Sequence, residues 1–210
     1  VKAGQLLPAG FHGVSSKMKP DPYDTKMAKK LMADAGYPDG FKMTIHGPND
    51  RYINDAKIAE ALAQMLNRVG IEASVETMPK AVYFKRASRG GPNKSPEFSF
   101  MLLGWGAGSG EASSPLKALL HTYDKSKGLG AANRGRHSDA EVDKLVKQAL
   151  ATVDADARGA LLAKATEKAV GENYGVIPMH YQVNTWAAKA GYKYLPRTDE
   201  RTIVTGLSNN

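Results

Sequence analysis

The stretch Glu97-Phe-Ser-Phe-Met-Leu-Leu-Gly-Trp-Gly-Ala-Gly-Ser-Gly-Glu111 joins an alternating apolar run to a loop that holds four glycines. The alternation over its first half predicts a buried β-strand. The glycines that follow let the backbone reach positive φ and let another molecule approach the main chain closely. Trp105 stands among them and offers a large flat apolar face with one N–H donor.

Ligands of open α/β sheets lie outside the carboxyl ends of the strands, which is where this loop is predicted to be. We therefore interpret the loop as one wall of a small-molecule site. The competing interpretation of Trp105 is a core tryptophan that fills the end of the strand. The predicted wall consists of Trp105, Gly106, Ala107 and Gly108.

Helix and strand patterns alternate on the amino-terminal side of this stretch. Asp24 is a candidate cap for a first helix, and an alternating strand follows at residues 41–45. Helical apolar spacing over 58–69 and a second alternating strand over 71–77 complete a βαβ unit with parallel strands. A further helix is predicted over 80–88. We therefore expect an α/β fold in which helices flank a mixed sheet.

The second half of the chain is predicted to be mainly helical. A short helix begins at Ser114-Pro115, and Ser138-Asp139-Ala140-Glu141 has the form of a capping box. Apolar spacing then predicts two helices, after this box and over residues 154–171, which form an antiparallel hairpin. Residues 176–179 and 183–186 are predicted to be short strands. Residues 1–23 and 194–210 are predicted to be irregular.

Composition excludes several classes of function. The chain has 210 residues and no cysteine, so disulfides and thiolate metal sites are impossible. The five histidines lack paired metal-ligand spacing, and we expect no metal and no cofactor. The net charge of +8 is spread along the chain without a basic block, so a nucleic-acid partner is not expected. No apolar run approaches the ~20 residues of a membrane helix, and no targeting signal is present in this chain.

Five pieces of sequence occur in a distinctive order. They are residues 24–41, which contain Tyr-Pro-Asp-Gly-Phe, then 69–71, 102–106, 138–145 and 176–186. In order and spacing they resemble the C-terminal part of the family 5 extracellular solute-binding proteins, the peptide, nickel and glutathione class that serves ABC importers. The resemblance covers roughly residues 20–190.

The resemblance implies one lobe of a two-lobed, class II periplasmic-binding-protein fold that closes on its ligand about a hinge. Residues 24–193 would form the α/β ligand-binding lobe. Residues 1–23 would connect it to a missing N-terminal lobe, and 194–210 would return toward that lobe. The implied partners are a small or peptide-like solute, the ABC permease and the missing lobe, without membrane insertion. The implied location is the periplasm, or outside the cell on a lipid anchor.

Two departures from the family pattern concern the ligand. Peptide-binding members have an aspartate shortly after the Gly-Trp pair, which pairs with the amino terminus of the peptide. Here Gly108 takes that place, and Glu111 follows three residues later. Before the capping box these members often have tyrosine, whereas this chain has Arg136-His137, with Asn133 and Arg134 just upstream. An arginine near the site favours a ligand with a carboxylate or phosphate.

Glu111, Asn133 and Arg134 therefore join the predicted ligand contacts, although a solvated loop acid and surface cations are competing interpretations. We find no constellation for acid–base or nucleophilic catalysis and do not expect an enzyme. Two alternatives remain open: a lobe used for sensing or protein contact rather than uptake, and a hydrolase or transferase with an unrecognised site. Short peptide, glutathione-like conjugate, opine, sugar and chelated metal all remain open as the solute.

Overall fold

The computed structural model describes residues 1–197 and 199–209. The chain divides into two compact units: Pro22–Gly104, and Val1–Asp21 together with the residues from Trp105 onward. This division at Gly104 was not indicated by the sequence. The boundaries at residues 23 and 193, which refer to a lobe outside this chain, stay a prediction. Thr198 and Asn210 of the predicted C-terminal segment lie outside the described residues.

The unit Pro22–Gly104 contains the predicted βαβ arrangement. β1 pairs in parallel with β2, in a register that runs from Lys42 opposite Glu72 to Pro48 opposite Met78. The helix between the two strands makes the parallel crossover possible. In chain order the elements are α1 (Thr25–Asp34), β1 (Lys42–Pro48), α2 (Asp55–Asn67), β2 (Glu72–Met78), α3 (Lys80–Arg89) and a short 3₁₀ turn (Pro92–Lys94).

Apolar clusters pack on the two helices that cover this sheet. Ile45 of β1 is fully buried against Ala59 and Ala63 of α2. Tyr83 of α3 is also fully buried, and it packs with Phe98. The helices lie where the apolar spacing predicted them, but their buried faces are only partly the predicted ones, since Met65 of α2 and Val82 of α3 are exposed.

The predicted strand at residues 98–102 is reduced to a single bridge. Met101 bridges His46 in parallel, with backbone bonds from His46 N to Phe100 O (3.0 Å) and from Leu102 N to His46 O (2.8 Å). The Phe98 ring stacks on the His46 ring at 4.1 Å and is buried against Tyr83. Because Phe98 is drawn into this cluster and residues 99 and 100 bend, the ladder with β1 does not extend.

The other unit is mainly helical. α5 and α6 are joined by a short turn and pack together through Leu145, Val146, Leu162 and Ala165, all buried. β3 pairs antiparallel with β4. The elements are α4 (Ser113–Pro115) continued by a π-helical turn (Leu116–Leu120), a 3₁₀ turn (Lys125–Lys127), α5 (Ala140–Ala151), α6 (Ala155–Thr166) continued by a π-helical turn (Glu167–Glu172), β3 (Tyr192–Tyr194), a 3₁₀ turn (Val204–Gly206) and β4 (Leu207–Asn209).

Three local predictions in this unit were wrong. Residues 176–179 and 183–186 form no strand; His180 instead makes one antiparallel bridge to Lys2, and Pro178 has no N–H to extend a ladder. The segment predicted to be irregular contains β4. The cap of α5 is Asp139, whose carboxylate accepts from Glu141 N and Val142 N. A carboxylate also suits the positive end of the helix better than a hydroxyl.

No helix in the described part of the chain combines the length and the apolar character that a membrane crossing requires.

Tyr83→Phe should destabilise the protein, because the Tyr83 hydroxyl donates to Leu102 O at 2.7 Å and both residues are buried. The loss leaves a buried carbonyl unsatisfied, and we expect the free energy of unfolding in urea to fall by about 1–2 kcal/mol. Tyr23→Phe is the matched control, since Tyr23 is exposed. Equal stability of Tyr83→Phe and the wild type would contradict this role.

Candidate ligand-binding site

The tryptophan loop, residues 105–110, presents its indole to solvent. Trp105 is 40% exposed, so it does not lie in the hydrophobic core. A Cβ placed on Gly106 would meet no atom within 4 Å, whereas Ala107 is only 3% exposed. Ala107 therefore anchors the loop, and the space beside Gly106 is open apart from its own chain neighbours.

The end of the tryptophan loop is fastened to the first segment of the chain. His12 N donates to Gly110 O at 3.0 Å, and Ala112 N donates to His12 O at 3.0 Å. Gly110 has a φ of +74°, and its N–H donates to Ala107 O at 3.1 Å. Because that φ favours glycine, residue 110 can close the loop where a larger residue would be strained.

Glu111, at the base of the loop, is paired inside its own unit. Its carboxylate accepts from Arg158 Nε at 2.7 Å and also from Arg158 Nη2 and the Ser113 hydroxyl. The Arg158 bonds lower the pKa of Glu111 below its ordinary value of 4.5. Arg158 Nη1 donates in turn to Ala149 O at 2.8 Å, near the end of α5. The geometry gives Glu111 a role in holding the loop, and its contact with a ligand stays a prediction.

Asn133 is a buried structural residue of the segment 121–137. Its Nδ2 donates to His121 O at 3.0 Å and to His137 O at 2.7 Å, while its Oδ1 accepts from His137 N at 2.9 Å. It is 3% exposed, and these bonds use both amide hydrogens and the amide oxygen. Arg134 is half-buried and has an interaction partner. For both residues a ligand contact stays a prediction.

Arg136 lies beside an aromatic ring. Its guanidinium lies 4.2 Å from the centre of the Tyr123 ring, a cation–π geometry, and Tyr123 is 44% exposed. The sequence analysis placed Arg136 near the site but did not select Tyr123. Tyr123 follows the buried pair Leu119-Leu120 by three residues, and nothing in that local sequence indicates a contact with Arg136.

Arg201 also faces the tryptophan loop, although no sequence pattern indicated a role for it. A Cβ placed on Gly108 would lie 3.9 Å from Arg201 Nη2, so the guanidinium faces the tryptophan loop. Its backbone is held, since Arg201 N donates to Asp199 Oδ1 at 3.2 Å and Tyr194 Oη donates to Arg201 O at 3.4 Å. Within residues 1–197 and 199–209, no carboxylate oxygen lies within 4.0 Å of the Arg201 guanidinium.

The described side chains offer no metal centre: within them, no group of three histidine or carboxylate residues is close enough together to hold an ion. The groups available for ligand contact are therefore the Trp105 indole, the glycine backbone of the loop and the nearby charged side chains.

Comparison with known proteins gives one family. Residues 1–127 match the model of the bacterial extracellular solute-binding proteins, family 5 Middle. Glutathione-binding protein GsiB of Escherichia coli (strain K12) is 31% identical over 163 residues, which cover 77% of this chain and 30% of that protein. Heme-binding protein A of Haemophilus influenzae is 28% identical over 165 residues, which cover 76% of this chain and 28% of the relative. The matched residues therefore cover less than a third of the length of these relatives.

Solved structures agree on the fold. HbpA2 from Haemophilus parasuis aligns with all of this chain and 40% of its own at a TM-score of 0.83 and 22% identity. The ABC transporter-associated periplasmic binding protein DppA from Helicobacter pylori, in complex with the peptide STSA, aligns with 85% of this chain and 33% of its own, with a TM-score of 0.73 and 27% identity. The predicted α/β fold of periplasmic binding proteins is thereby confirmed, with the described strands in two separate pairs.

Glu111→Gln should lower the free energy of unfolding near neutral pH by about 2 kcal/mol, because the charged bonds to Arg158 are weakened at a site where the Glu111 side chain is only 18% exposed. The folded-state pKa of Glu111 is lowered, so its stabilisation is present above about 4.5 and is lost as the pH falls through the folded-state value. The gap between wild type and variant should therefore narrow in acid.

Urea denaturation at neutral and at acidic pH measures this gap. Glu60→Gln is the control, since Glu60 is an exposed residue of α2. A gap that stays constant between the two pH values would contradict the paired state of Glu111.

Proposed function

The chain belongs to the bacterial extracellular solute-binding proteins of family 5, and from this we propose that it is the part of a binding protein that holds a small solute for an ABC permease. In this proposal residues 24–193 serve as one lobe, and a second lobe outside this chain closes over the solute about a hinge. The observation that carries the proposal is the exposed indole of Trp105 on an anchored loop with few side chains.

The physical support comes from the way the tryptophan loop combines an exposed face with a rigid base. An apolar indole gains free energy when a ligand removes it from water. The bonds of His12 to Gly110 and Ala112, and the pair of Glu111 with Arg158, hold the base of the loop. A binding wall that is already ordered spends less entropy when a ligand arrives.

We propose that Trp105, Gly106 and Gly108 contact the solute directly, and that Ala107 and Glu111 position the loop. Asn133 and Arg134 are proposed to shape the neighbouring segment of the site, where Asn133 bonds to His121 and His137. The relatives carry names for glutathione, heme and peptide binding. A peptide-like or other small solute is accordingly proposed here.

We further propose that the protein acts in the periplasm, or on a lipid anchor outside the cell, and that it carries out no catalysis. The family description as extracellular solute-binding proteins supports the location. The bonds of the Glu111 carboxylate to Arg158 and to the Ser113 hydroxyl support a positioning role for Glu111 in a binding protein.

Trp105→Ala should lower the retention of solute by the full-length protein at least about tenfold, since the exposed apolar face is lost. Native mass spectrometry of protein purified without refolding measures the fraction that carries a co-purified small molecule. Tyr174→Ala is the control, because Tyr174 is an exposed aromatic residue of the same unit outside the loop.

Unchanged solute retention in Trp105→Ala would contradict the proposed wall. Retention without uptake by a permease would favour the sensing alternative. Turnover of the solute without stoichiometric retention would favour an enzyme.

The isolated 210-residue chain should bind the solute weakly or undetectably, because half of a closing cleft covers only part of the solute surface. Isothermal titration calorimetry of the isolated chain, with the full-length protein as reference, measures this difference. A submicromolar Kd for the isolated chain would contradict the two-lobe proposal.

A further inference from the structure

We propose that the tryptophan loop receives the anionic end of the solute, a carboxylate or phosphate, with Arg201 as its ionic partner. This inference rests on the proposed function and names the chemical class of the solute. It follows from the position of Arg201, from the way the nearby acids are compensated, and from the space that Gly108 leaves open.

The space at Gly108 lies next to the Arg201 guanidinium. A Cβ on Gly108 would be 3.9 Å from Arg201 Nη2, and no other atom lies within 4 Å of that point. Gly108 is exposed and has an ordinary backbone conformation, so its missing side chain is a matter of space and not of strain. An oxygen of a bound carboxylate can therefore approach Nη2 to the ~2.8 Å of a charge-assisted hydrogen bond.

Two acids of this unit, Glu111 and Asp199, are each paired with an arginine. Glu111 is bonded to Arg158 through both carboxylate oxygens. Asp199 accepts from Arg197 through both of its oxygens, which lowers the pKa of Asp199 to about 2. Arg201 also contributes to this lowering, and it bonds Asp199 through its backbone N–H. The Arg201 guanidinium faces the loop, and within the described residues it has no carboxylate oxygen closer than 4.0 Å.

The backbone that carries Arg201 is held from three sides. Asp199 accepts its N–H, and the Tyr194 hydroxyl donates to its carbonyl. The next residue, Thr202, accepts from Trp186 Nε1 at 2.9 Å, and the Trp186 ring lies 5.6 Å from the Tyr194 ring. These contacts fix the backbone from which the Arg201 side chain extends. Less conformational entropy is therefore lost when an anion binds.

An exposed ion pair in water is worth little, about 0–1 kcal/mol. Exclusion of water strengthens it, because the Coulomb energy rises as the effective dielectric constant falls. Closure of a cleft over the tryptophan loop would supply that exclusion. An ammonium group, in contrast, would meet the positive charge of Arg201 while Glu111 and Asp199 are already paired with arginines, so the same loop should reject a cationic end.

The test uses two dipeptide probes that differ only in which end is charged. N-acetyl-Ala-Phe carries a carboxylate alone, and Ala-Phe amide carries an ammonium group alone. Isothermal titration calorimetry of the full-length protein should give at least about tenfold tighter binding of N-acetyl-Ala-Phe. Arg201→Gln and Gly108→Asp should each abolish this preference, the second because its carboxylate occupies Arg201.

Lys189→Gln, which removes an exposed cation of the same unit away from the loop, should keep the preference. Equal binding of the two probes, tighter binding of the amide, or a preference that survives Arg201→Gln would overturn the inference. Binding of neither probe would also overturn it, while native mass spectrometry would decide the proposed function separately by showing whether any solute is retained.

Discussion

The bidentate ion pair between Glu111 and Arg158 connects the base of the tryptophan loop to the helices α5 and α6. Glu111 ends the tryptophan loop, and Arg158 belongs to the first turns of α6, 47 residues later. Through Nη1 the same guanidinium reaches Ala149 O of α5. One side chain thus joins the helical hairpin to the base of the loop. Because both side chains are mostly buried, removal of either one would leave the charge of the other without compensation.

This pairing also decides the electrostatic character of the loop. A free carboxylate at Glu111 would favour a cationic ligand group, whereas a compensated one contributes almost no field. Asp199 is compensated by Arg197 in the same way, and the Arg201 guanidinium faces the loop at Gly108. The positive net charge of the chain does not by itself explain this, since charge spread over a surface is screened within about 10 Å.

Local patterns predicted most of the unit Pro22–Gly104. Asp24 caps α1, and β1 pairs in parallel with β2. These features depend on residues close in sequence, or on one crossover whose geometry is general. The strand at residues 98–102 was overestimated, because alternation cannot reveal that Phe98 stacks on His46 and leaves the ladder.

The sequence by itself determined the family, the α/β class, the helices and the presence of an indole in a glycine loop. Only the tertiary structure decided the state of the charged residues around that loop. Glu111 is bonded to Arg158, and Asn133 is buried among backbone groups of its own segment, while the contact of either residue with a ligand stays a prediction. No sequence pattern indicated that Arg201 faces the loop. Ion pairs form between residues far apart in sequence, so which charge is compensated and which stays available depends on the folded arrangement of the chain.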